Sequence, residues 1–331
     1  MIDTIQPIDI VIAWVDGSDP KLKNKRQQFI NPSAPSNAVE ATRFASNDEI
    51  YFCIASILKY VPYCGTIYVV TDQQSPQWLD QFEQQNLCEK GKIRIVDHTE
   101  LFEGHESALP TFNSLSIETM LWNIRGLSER FIYLNDDFFF NRISNIHDFL
   151  DADRMVVYGH WQSNFIKKMK YIIRRFLQEK MGKIAQPKYS IAQMLSADML
   201  GLLKYYEIHH RPHILDKTIL TQYFQQHPSV LAKQISFRFR HIDQFLPVGL
   251  SNHLAIQSNQ TILNDDVEIA YLKDGRDLER FMQQLKKGET KFGCIQSLDQ
   301  LEPNAEQTVR SALIDKFNDV LPSQIRASVA V

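Results

Sequence analysis

Residues 8–15 have the sequence IDIVIAWV, and the turn-forming stretch DGSDP follows directly at residues 16–20. An apolar run of this kind is typical of a strand buried on both faces of a parallel sheet. A second run, RFIYL at residues 130–134, leads into NDD at residues 135–137. Ligands bind at the carboxyl ends of the strands in an open α/β sheet, so both acidic stretches are expected to face one crevice.

Strand and helix patterns alternate between these two runs. Apolar spacing, with Gly and Pro as breakers, predicts helices over 48–61, 76–87 and 114–124 and strands over 66–71 and 92–96. Residues 20–45 are expected to form a loop with one helical turn, and Ser46 or Asn47 to cap the first long helix. The alternation predicts a doubly wound, mostly parallel α/β sheet.

Past residue 150 the alternation weakens. Short strands are predicted near 156–158 and 262–271, and helices over 165–183, 190–206, 215–227, 276–287 and 304–317. We interpret the chain as a single domain over residues 1–331. Its core would occupy 8–150, with a helical insertion at 160–230 and closing elements at 231–331.

Composition excludes several classes of protein. A formal charge of −3 over 331 residues implies no global attraction to nucleic acid. The four cysteines are scattered without CxxC spacing, which argues against structural zinc and a disulfide framework and fits a reducing cytosol. The sequence shows neither a signal-peptide pattern nor an apolar window long enough to span a bilayer.

Asp136 and Asp137 are the strongest candidates for a metal site. Adjacent carboxylates could instead cap a following helix, but the apolar run FFF follows at residues 138–140. In such surroundings two carboxylates repel each other unless a cation lies between them. Their hard oxygens suit Mg²⁺ or Mn²⁺, which would in turn hold the phosphates of a nucleotide or sugar nucleotide.

Four other polar residues have both a structural and a functional interpretation. Asp16 belongs either to a plain β-turn or to a nucleotide-binding turn after the first strand. Arg43 precedes a helix start, where it is either solvated or in contact with a phosphate. Asn113 and Ser114 can cap the next helix, and a ligand contact would be an additional role.

Two clusters in the second half carry histidine and arginine. His209, His210 and His213 lie within five residues at a spacing that does not suit zinc, so a histidine there could act as general base or phosphate partner. Arg238 and Arg240 alternate with phenylalanines. On a strand both arginines would share one face, either solvated or clamping phosphate oxygens.

Residues 166–183 form a basic segment with Glu179 as its only acid. Apolar residues supply its other side. The segment is expected to be a charged helix packed on the core, or alternatively an interfacial helix on anionic lipid or a dock for an acidic polymer.

Several of these stretches together resemble one family. WVDGSDP at 14–20 is similar to the first conserved region of the Stealth proteins. The second region is resembled by RF at 43–44, NDEI at 47–50, SILKYVP at 56–62, IYVVTDQ at 67–73, WL at 78–79, VDH at 96–98, PTFNS at 110–114, IE at 117–118 and GLSERFIYLNDDFF at 126–139. The match is dense over 9–140 and looser over 205–250, through HRP at 210–212 and FR at 239–240.

Stealth proteins are hexose-1-phosphoryltransferases, which include bacterial capsule and exopolysaccharide enzymes. The resemblance implies a Rossmann-like, glycosyltransferase-A-type core with helical insertions, a UDP-sugar donor, a saccharide acceptor and Mg²⁺ or Mn²⁺. In that chemistry an acceptor hydroxyl attacks the phosphorus bonded to the sugar, and UMP leaves. The product is a phosphodiester.

The resemblance also implies residue roles. The family's metal acid corresponds to the NDD stretch at 135–137, and its third-region histidine and arginine correspond best to His210 and Arg240, with His209 and Arg238 as rivals. Arg43 and Asp16 match other functional positions. Either Asp16 or His210 would take the acceptor proton, unless Asp16 positions the nucleophile.

The chain departs from the family pattern at its fourth region. An Asn-Asp pair is usual there, whereas this chain has FGCIQSLD at 292–299, with Gln296, Ser297 and Asp299 as substitutes. Two other functions therefore stay open. One is a metal-dependent glycosyltransferase that releases UDP, and the other is a non-catalytic sugar-nucleotide or polysaccharide binder. A cytoplasmic location is expected, with peripheral contact to the inner membrane face through 166–183 as an extension.

Overall fold

A computed structural model describes residues 6–30, 35, 36, 44, 46–296 and 298–327. A large hydrophobic core cluster extends from Ile8 to Ile325 and joins the central sheet to the helices packed on it. This architecture confirms the predicted α/β fold, while the division into core, insertion and closing elements stays a prediction. Among the described residues, no helix combines the length and apolar character needed to cross a bilayer.

The described strands form four sheets. They are β1 Ile8–Ala13, β2 Cys64–Thr71, β3 Ile93–Asp97, β4 Arg130–Asn135, β5 Phe138–Phe140, β6 Leu150–Asp151, β7 Arg154–Tyr158, β8 His160–Ser163, β9 Lys204–Glu207, β10 His213–Asp216, β11 Thr261–Asn264, β12 Ala270–Leu272 and β13 Phe292–Ile295.

The described α-helices lie between and after these strands. They are α1 Pro20–Gln27, α2 Glu49–Tyr60, α3 Gln81–Gln84, α4 His98–Leu101, α5 Ser114–Met120, α6 Asn164–Met181, α7 Tyr189–Asp198, α8 Lys217–Gln226, α9 Pro228–Ile235, α10 Pro247–Gln257, α11 Leu278–Lys287, α12 Pro303–Phe317 and α13 Ser323–Ala327.

The central sheet has the strand order β10-β4-β1-β2-β3. The strands β4, β1, β2 and β3 run parallel, and β10 is an antiparallel edge strand. Ala13 is in register with Val70 of β2 and with Asn135 of β4. Three adjacent strands therefore end at the same level, and the residues that follow them share one edge of the sheet.

At the opposite, amino-terminal edge of the central sheet, Asp9 links neighbouring strands. Its Oδ1 accepts from the backbone N–H of Thr66 at 2.7 Å, and its Oδ2 accepts from the N–H of Ser128 at 2.8 Å. A Cβ added at Gly65 would overlap Asp9 Oδ1, so glycine permits this close approach. One buried carboxylate thus ties β1 to β2 and to the start of β4.

A smaller sheet brings the C-terminal part of the chain to the end of β4. β13 pairs antiparallel with β5, and Ile295 donates its N–H to the carbonyl of Asp137 at 2.8 Å. At Gly293 of β13 a Cβ would overlap the ring of Phe139, so the two strands approach closely only because this residue is glycine.

The predicted loop over 20–45 is wrong at its start. Residues 20–27 form α1, because Asp19 accepts from the N–H of Lys21 at 2.7 Å and Pro20 occupies the first turn. The predicted caps of α2 are also wrong. The N-cap is Asp48, in the left-handed region at φ 68°, and its side chain makes no capping hydrogen bond.

Two predicted helices are shorter than expected. The helix predicted over 76–87 is reduced to α3, since residues 76–82 are linked by i to i+3 turn bonds instead. The helix predicted over 190–206 ends at Asp198. Gly201 takes φ +74° and Leu202 donates back to the carbonyl of Ala197 at 3.1 Å, which closes the helix before β9.

Candidate active site

The carboxyl edge of the central sheet opens into a cavity of about 390 Å³. Ala13 of β1, Val70 of β2 and Asn135 of β4 line it, as expected for a ligand site at the strand ends. Its polar wall comprises Glu49, Asp72, His98, Thr111, Ser114, Asn135, Asp136, Asp137, His210, Arg240, Gln296 and Asp299. Five predicted site residues thus meet here: Ser114, Asp136, Asp137, His210 and Arg240.

Three carboxylates lie close enough in this wall to affect one another. Asp136 and Asp137 occupy the turn between β4 and β5, and Glu49 is the first residue of α2. Burial raises the pKa of Asp137 to about 6 and that of Glu49 to about 7. Burial also raises the pKa of Asp136 well above its ordinary value, with the negative charges of Asp137 and Glu49 adding to the effect.

Helix α12, close to the C-terminus, holds Glu49 in place. Arg310 donates to Asp48 Oδ2 at 3.1 Å and to the carbonyl of Asn47 at 2.8 Å. The N–H of Asn47 in turn donates to Glu49 Oε2 at 2.5 Å. The start of α2 is therefore fixed from outside the cavity.

The environment of Asp137 fits a metal ligand. Its Oδ1 is buried and has no hydrogen-bond partner within the described chain, whereas its Oδ2 accepts from Cys294 Sγ at 3.5 Å. A buried carboxylate oxygen without a partner is costly, and a cation would offset that cost. Mg²⁺ is commonly held by one or two carboxylates together with water and substrate phosphates. Asp136 and Asp137 meet that requirement.

Arg240 reaches the cavity on a loop, so Arg238 and Arg240 do not share the face of a strand. Its guanidinium donates to Ser114 Oγ at 2.6 Å. The loop is fixed by the buried Asn113, which donates to the carbonyl of Phe237 and to Gln244 Oε1, both at 2.8 Å. Asn113 also caps α5 by accepting from the N–H of Leu115 at 3.1 Å. Because these side-chain bonds replace strand pairing, the loop can carry Arg240 toward α5.

A second cavity of about 260 Å³ adjoins the first. Asn135, His210, Arg240 and Gln296 line both cavities, so they form the wall between them. The second cavity also contains Glu118, whose pKa burial raises to about 7, against the opposing effect of the Arg240 charge.

The ring of His210 lies within this shared wall. It stacks on Tyr189 with ring centroids 4.9 Å apart and tilts against Phe138 at 6.3 Å. Desolvation by the surrounding protein, reinforced by the Arg240 charge, lowers the pKa of His210. A neutral imidazole at pH 7 can accept a proton. The rival His209 points elsewhere, with its Nε2 3.3 Å from Asp266 Oδ2.

The other predicted site residues lie outside the cavity walls or outside the described chain. Asp16 Oδ1 accepts from the N–H and Oγ of Ser18 at 2.8 and 2.6 Å, which is the geometry of a side-chain-capped turn. Arg238 donates to the carbonyl of Pro110 at 2.6 Å and lies over the ring of Phe29. Arg43 lies outside the described residues. Their roles stay predictions.

Sequence reasoning missed several polar residues of the two cavities. Glu49 was placed at a helix start and in the NDEI stretch of the resemblance but received no role, although an acid in the first turn after a strand-to-helix connection lies at the ligand-binding edge by topology. Asp72 and His98 directly follow β2 and β3, so the same rule could have identified them. Glu118 belongs to the IE pair at 117–118 that resembles the family's second region, but it received no role, because an acid within a helix is usually solvated.

The stretch FGCIQSLD at 292–299, where the chain departs from the family's fourth region, contributes residues to the first cavity. Gln296 and Asp299 line it next to Cys294, while Ser297 lies outside the described residues. Whether either side chain replaces the family's usual pair stays a prediction.

A separate group of metal-ligating side chains lies near β8. His160 Nδ1 is 2.7 Å from Asp266 Oδ2, and the same oxygen contacts His209. Within the described chain this is the group of three such side chains whose ligand atoms all lie within 4.8 Å of one another.

Comparisons with known proteins match different shares of the chain. Residues 6–31 match the Stealth protein conserved region 1, and residues 43–158 match the Stealth protein conserved region 2. A capsular polysaccharide phosphotransferase of Actinobacillus pleuropneumoniae is 40% identical over 149 residues, 44% of this chain and 39% of that protein. An exopolysaccharide phosphotransferase of Streptomyces coelicolor is 28% identical over 331 residues, 95% of this chain and 50% of that protein.

Among solved structures, the apo form of mouse xyloside xylosyltransferase 1 is similar at 12% identity and a TM-score of 0.40, over 87% of this chain and 98% of that chain. No functional conclusion follows from so distant a likeness. The chain spans half or less of the length of the two curated relatives. Residues 6–31 and 43–158 thus match conserved regions 1 and 2 in order, and over these residues the chain is similar to the Stealth proteins.

Proposed function

We propose that this chain transfers a hexose-1-phosphate unit from a UDP-sugar to a hydroxyl of an oligosaccharide or polysaccharide, in the synthesis of a bacterial surface polysaccharide. The acceptor oxygen forms a bond to the phosphorus that carries the sugar. The bond from that phosphorus to the oxygen of UMP breaks, the acceptor hydroxyl loses its proton, and UMP leaves. The product is a phosphodiester.

The observation that carries the proposal is the meeting of Asp136, Asp137, His210 and Arg240 around one cavity at the strand ends. Phosphoryl transfer requires neutralised phosphate charge and a nucleophile placed in line, with little further chemistry from the protein. The curated relatives named as polysaccharide phosphotransferases support the same reaction class.

Each residue then has a role that follows from its surroundings. Asp136 and Asp137 would hold Mg²⁺ or Mn²⁺, which when bound neutralises the charge of the diphosphate. Arg240, held by Ser114, binds a phosphoryl oxygen as a charge-assisted donor. His210 takes the acceptor proton at its ring nitrogen. We favour His210 over Asp16 as base, because His210 lines the cavity, whereas Asp16 lies outside its lining and turns Oδ1 to Ser18.

The remaining predicted residues act at the edges of the site in this proposal. Arg43, which precedes α2 in the sequence and lies outside the described residues, would contact a donor phosphate. Asn113 positions the loop that carries Arg240, and Arg238 contributes to the same loop. The free cysteines among the described residues favour a reducing compartment, so we place the reaction in the cytoplasm.

The test is to incubate purified protein with Mn²⁺, a panel of UDP-sugars and candidate oligosaccharides, and to identify the nucleotide released. UMP is the expected product. His210→Ala is expected to lower kcat by about 10²- to 10⁴-fold with little change in donor affinity. His147→Ala, which removes an exposed histidine that lines neither of the two cavities, is the matched control and should retain full activity.

Release of UDP would instead mean attack at the anomeric carbon, and the proposed reaction would be abandoned in favour of glycosyl transfer. Full activity of His210→Ala would remove the base assignment while leaving the reaction class intact.

A further inference from the structure

Helix α6, Asn164–Met181, turns its apolar face to solvent. Its large apolar side chains recur at the spacing of a single helix face. All of them are exposed, from 43% for Met169 to 71% for Phe165, and the set is Phe165, Ile166, Met169, Ile172, Ile173 and Phe176. A surface helix of a globular protein normally presents the opposite face outward.

The polar side of α6 faces the protein and fixes this orientation. Lys168 forms an ion pair with Asp198 of α7 at 2.7 Å. Tyr171 and Arg175 both contact Asp243, at 3.0 and 3.2 Å. Rotating the helix to bury its apolar face would break all of these contacts, so the exposed face is the face that the packing selects.

The apolar surface continues beyond the helix. Leu203 is 86% exposed, and its carbonyl accepts from the N–H of Asn164 at the start of α6. Trp161 on β8 is also exposed, as are Met181 and Ile184 at the far end. Isolated exposed apolar residues are ordinary, but a contiguous patch of this kind marks an interaction surface.

The rim of this patch is basic, although the chain as a whole carries a formal charge of −3. Glu179, the only acid of the segment, is already paired with Arg175 at 2.9 Å. Four lysines have no ion-pair partner within the described part of the chain: Lys167, Lys170, Lys180 and Lys183. The surface therefore combines large apolar side chains with uncompensated positive charge.

We propose that α6 docks this protein on a bilayer that contains anionic phospholipid. The apolar face enters the boundary between headgroups and acyl chains, and the lysines extend their ammonium groups to the lipid phosphates. A second copy of the chain would bring like charges together, and a soluble acidic polymer would leave the apolar face exposed to water. The inference rests on α6 alone and does not depend on the proposed reaction.

The test is co-sedimentation with vesicles of phosphatidylcholine alone and of equimolar phosphatidylcholine and phosphatidylglycerol. We expect binding to the anionic vesicles roughly tenfold or more stronger than to the neutral ones, and weaker with added salt. The variant Ile172→Ser, Ile173→Ser, Phe176→Ser should lose at least tenfold in binding. These side chains are exposed, so the fold should persist, and circular dichroism checks it.

The matched control is Ile143→Ser, which removes a 73% exposed apolar residue elsewhere and should bind as the wild type does. Equal binding of the triple variant, or no binding of the wild type to anionic vesicles, would overturn the proposal. A dimer in gel filtration that the triple variant abolishes, without vesicle binding, would assign the face to a second copy instead. Vesicle binding needs neither donor nor metal, so its failure is distinct from failure of the proposed reaction.

Discussion

Asp137 is a buried carboxylate in the first cavity, and its burial makes the stability of the metal-free protein depend on pH. Its folded-state pKa of about 6 lies above the unfolded value of about 3.9, so between these values the folded state binds more protons. The stability of the metal-free protein should therefore fall as pH rises through this window. Asp137→Asn should recover about 3 kcal/mol at pH 7.5, since a difference of one in pKa corresponds to about 1.4 kcal/mol.

Urea denaturation in the presence of a chelator at pH 4.5 and pH 7.5 measures this effect. Asp315→Asn, on the exposed side of α12, is the control and should change stability little at either pH. If Asp137→Asn destabilised the metal-free protein at pH 7.5, the carboxylate would have a partner that the geometry does not reveal.

Ser114 offers a second test at the level of one side chain, because its hydroxyl accepts from the Arg240 guanidinium. Removing it in Ser114→Ala should lower kcat/KM about tenfold, the scale of one charge-assisted hydrogen bond. Ser114→Thr retains the hydroxyl and should retain most of the activity. Equal loss in both variants would indicate a packing effect on α5 rather than a role in positioning Arg240.

At the scale of elements, the contact between β5 and β13 depends on one glycine. Gly293→Ala would force the ring of Phe139 aside in a packed core and should cost about 1–3 kcal/mol of unfolding free energy. Because β13 also bonds the carbonyl of Asp137, metal affinity should fall as well. Thermal unfolding and Mn²⁺ titration measure the two effects.

Gly275→Ala is the matched control for that change. A Cβ at Gly275 meets no atom within 4 Å, and its φ is not in the left-handed region, so stability should stay the same or rise slightly. A similar loss in both variants would mean that glycine content, rather than the approach of Phe139, decides the outcome.

The elements also show what sequence could predict. The strands β1 and β4 and the helix α2 were predicted because their burial follows from unbroken local periodicity. The strand β9 and the loop that carries Arg240 were not predicted. The helix before β9 ends at the left-handed Gly201, and the loop depends on Asn113, whose bonds reach Phe237 and Gln244. The acids after β4 were predicted from topology, whereas Glu118 was quoted only within the resemblance, and its place in the second cavity depends on burial by distant segments.

At the scale of the whole molecule, metal removal and re-addition should show which of the two groups of potential metal ligands is needed for activity. Chelation should abolish UMP release, and Mn²⁺ should restore it. His160→Ala should respond in the same way as the wild type, because the group around Asp266 lies apart from the residues that line the first cavity. Asp137→Ala should not recover. Loss of recovery in His160→Ala alone would move the functional metal to the group near β8.

The hydrogen bonds of Asp9 bear on which parts of such a protein can change in sequence without loss of the fold. One carboxylate fixes three strands at the edge farthest from the cavity, through Thr66 and Ser128. The alignment of the sheet is thus decided where no ligand binds. Loops at the other edge can lengthen, shorten or exchange side chains without shifting the strands beneath them. Grafting experiments aimed at new sugars should leave Asp9 and Gly65 untouched and confine their changes to the segments after β1, β2 and β4.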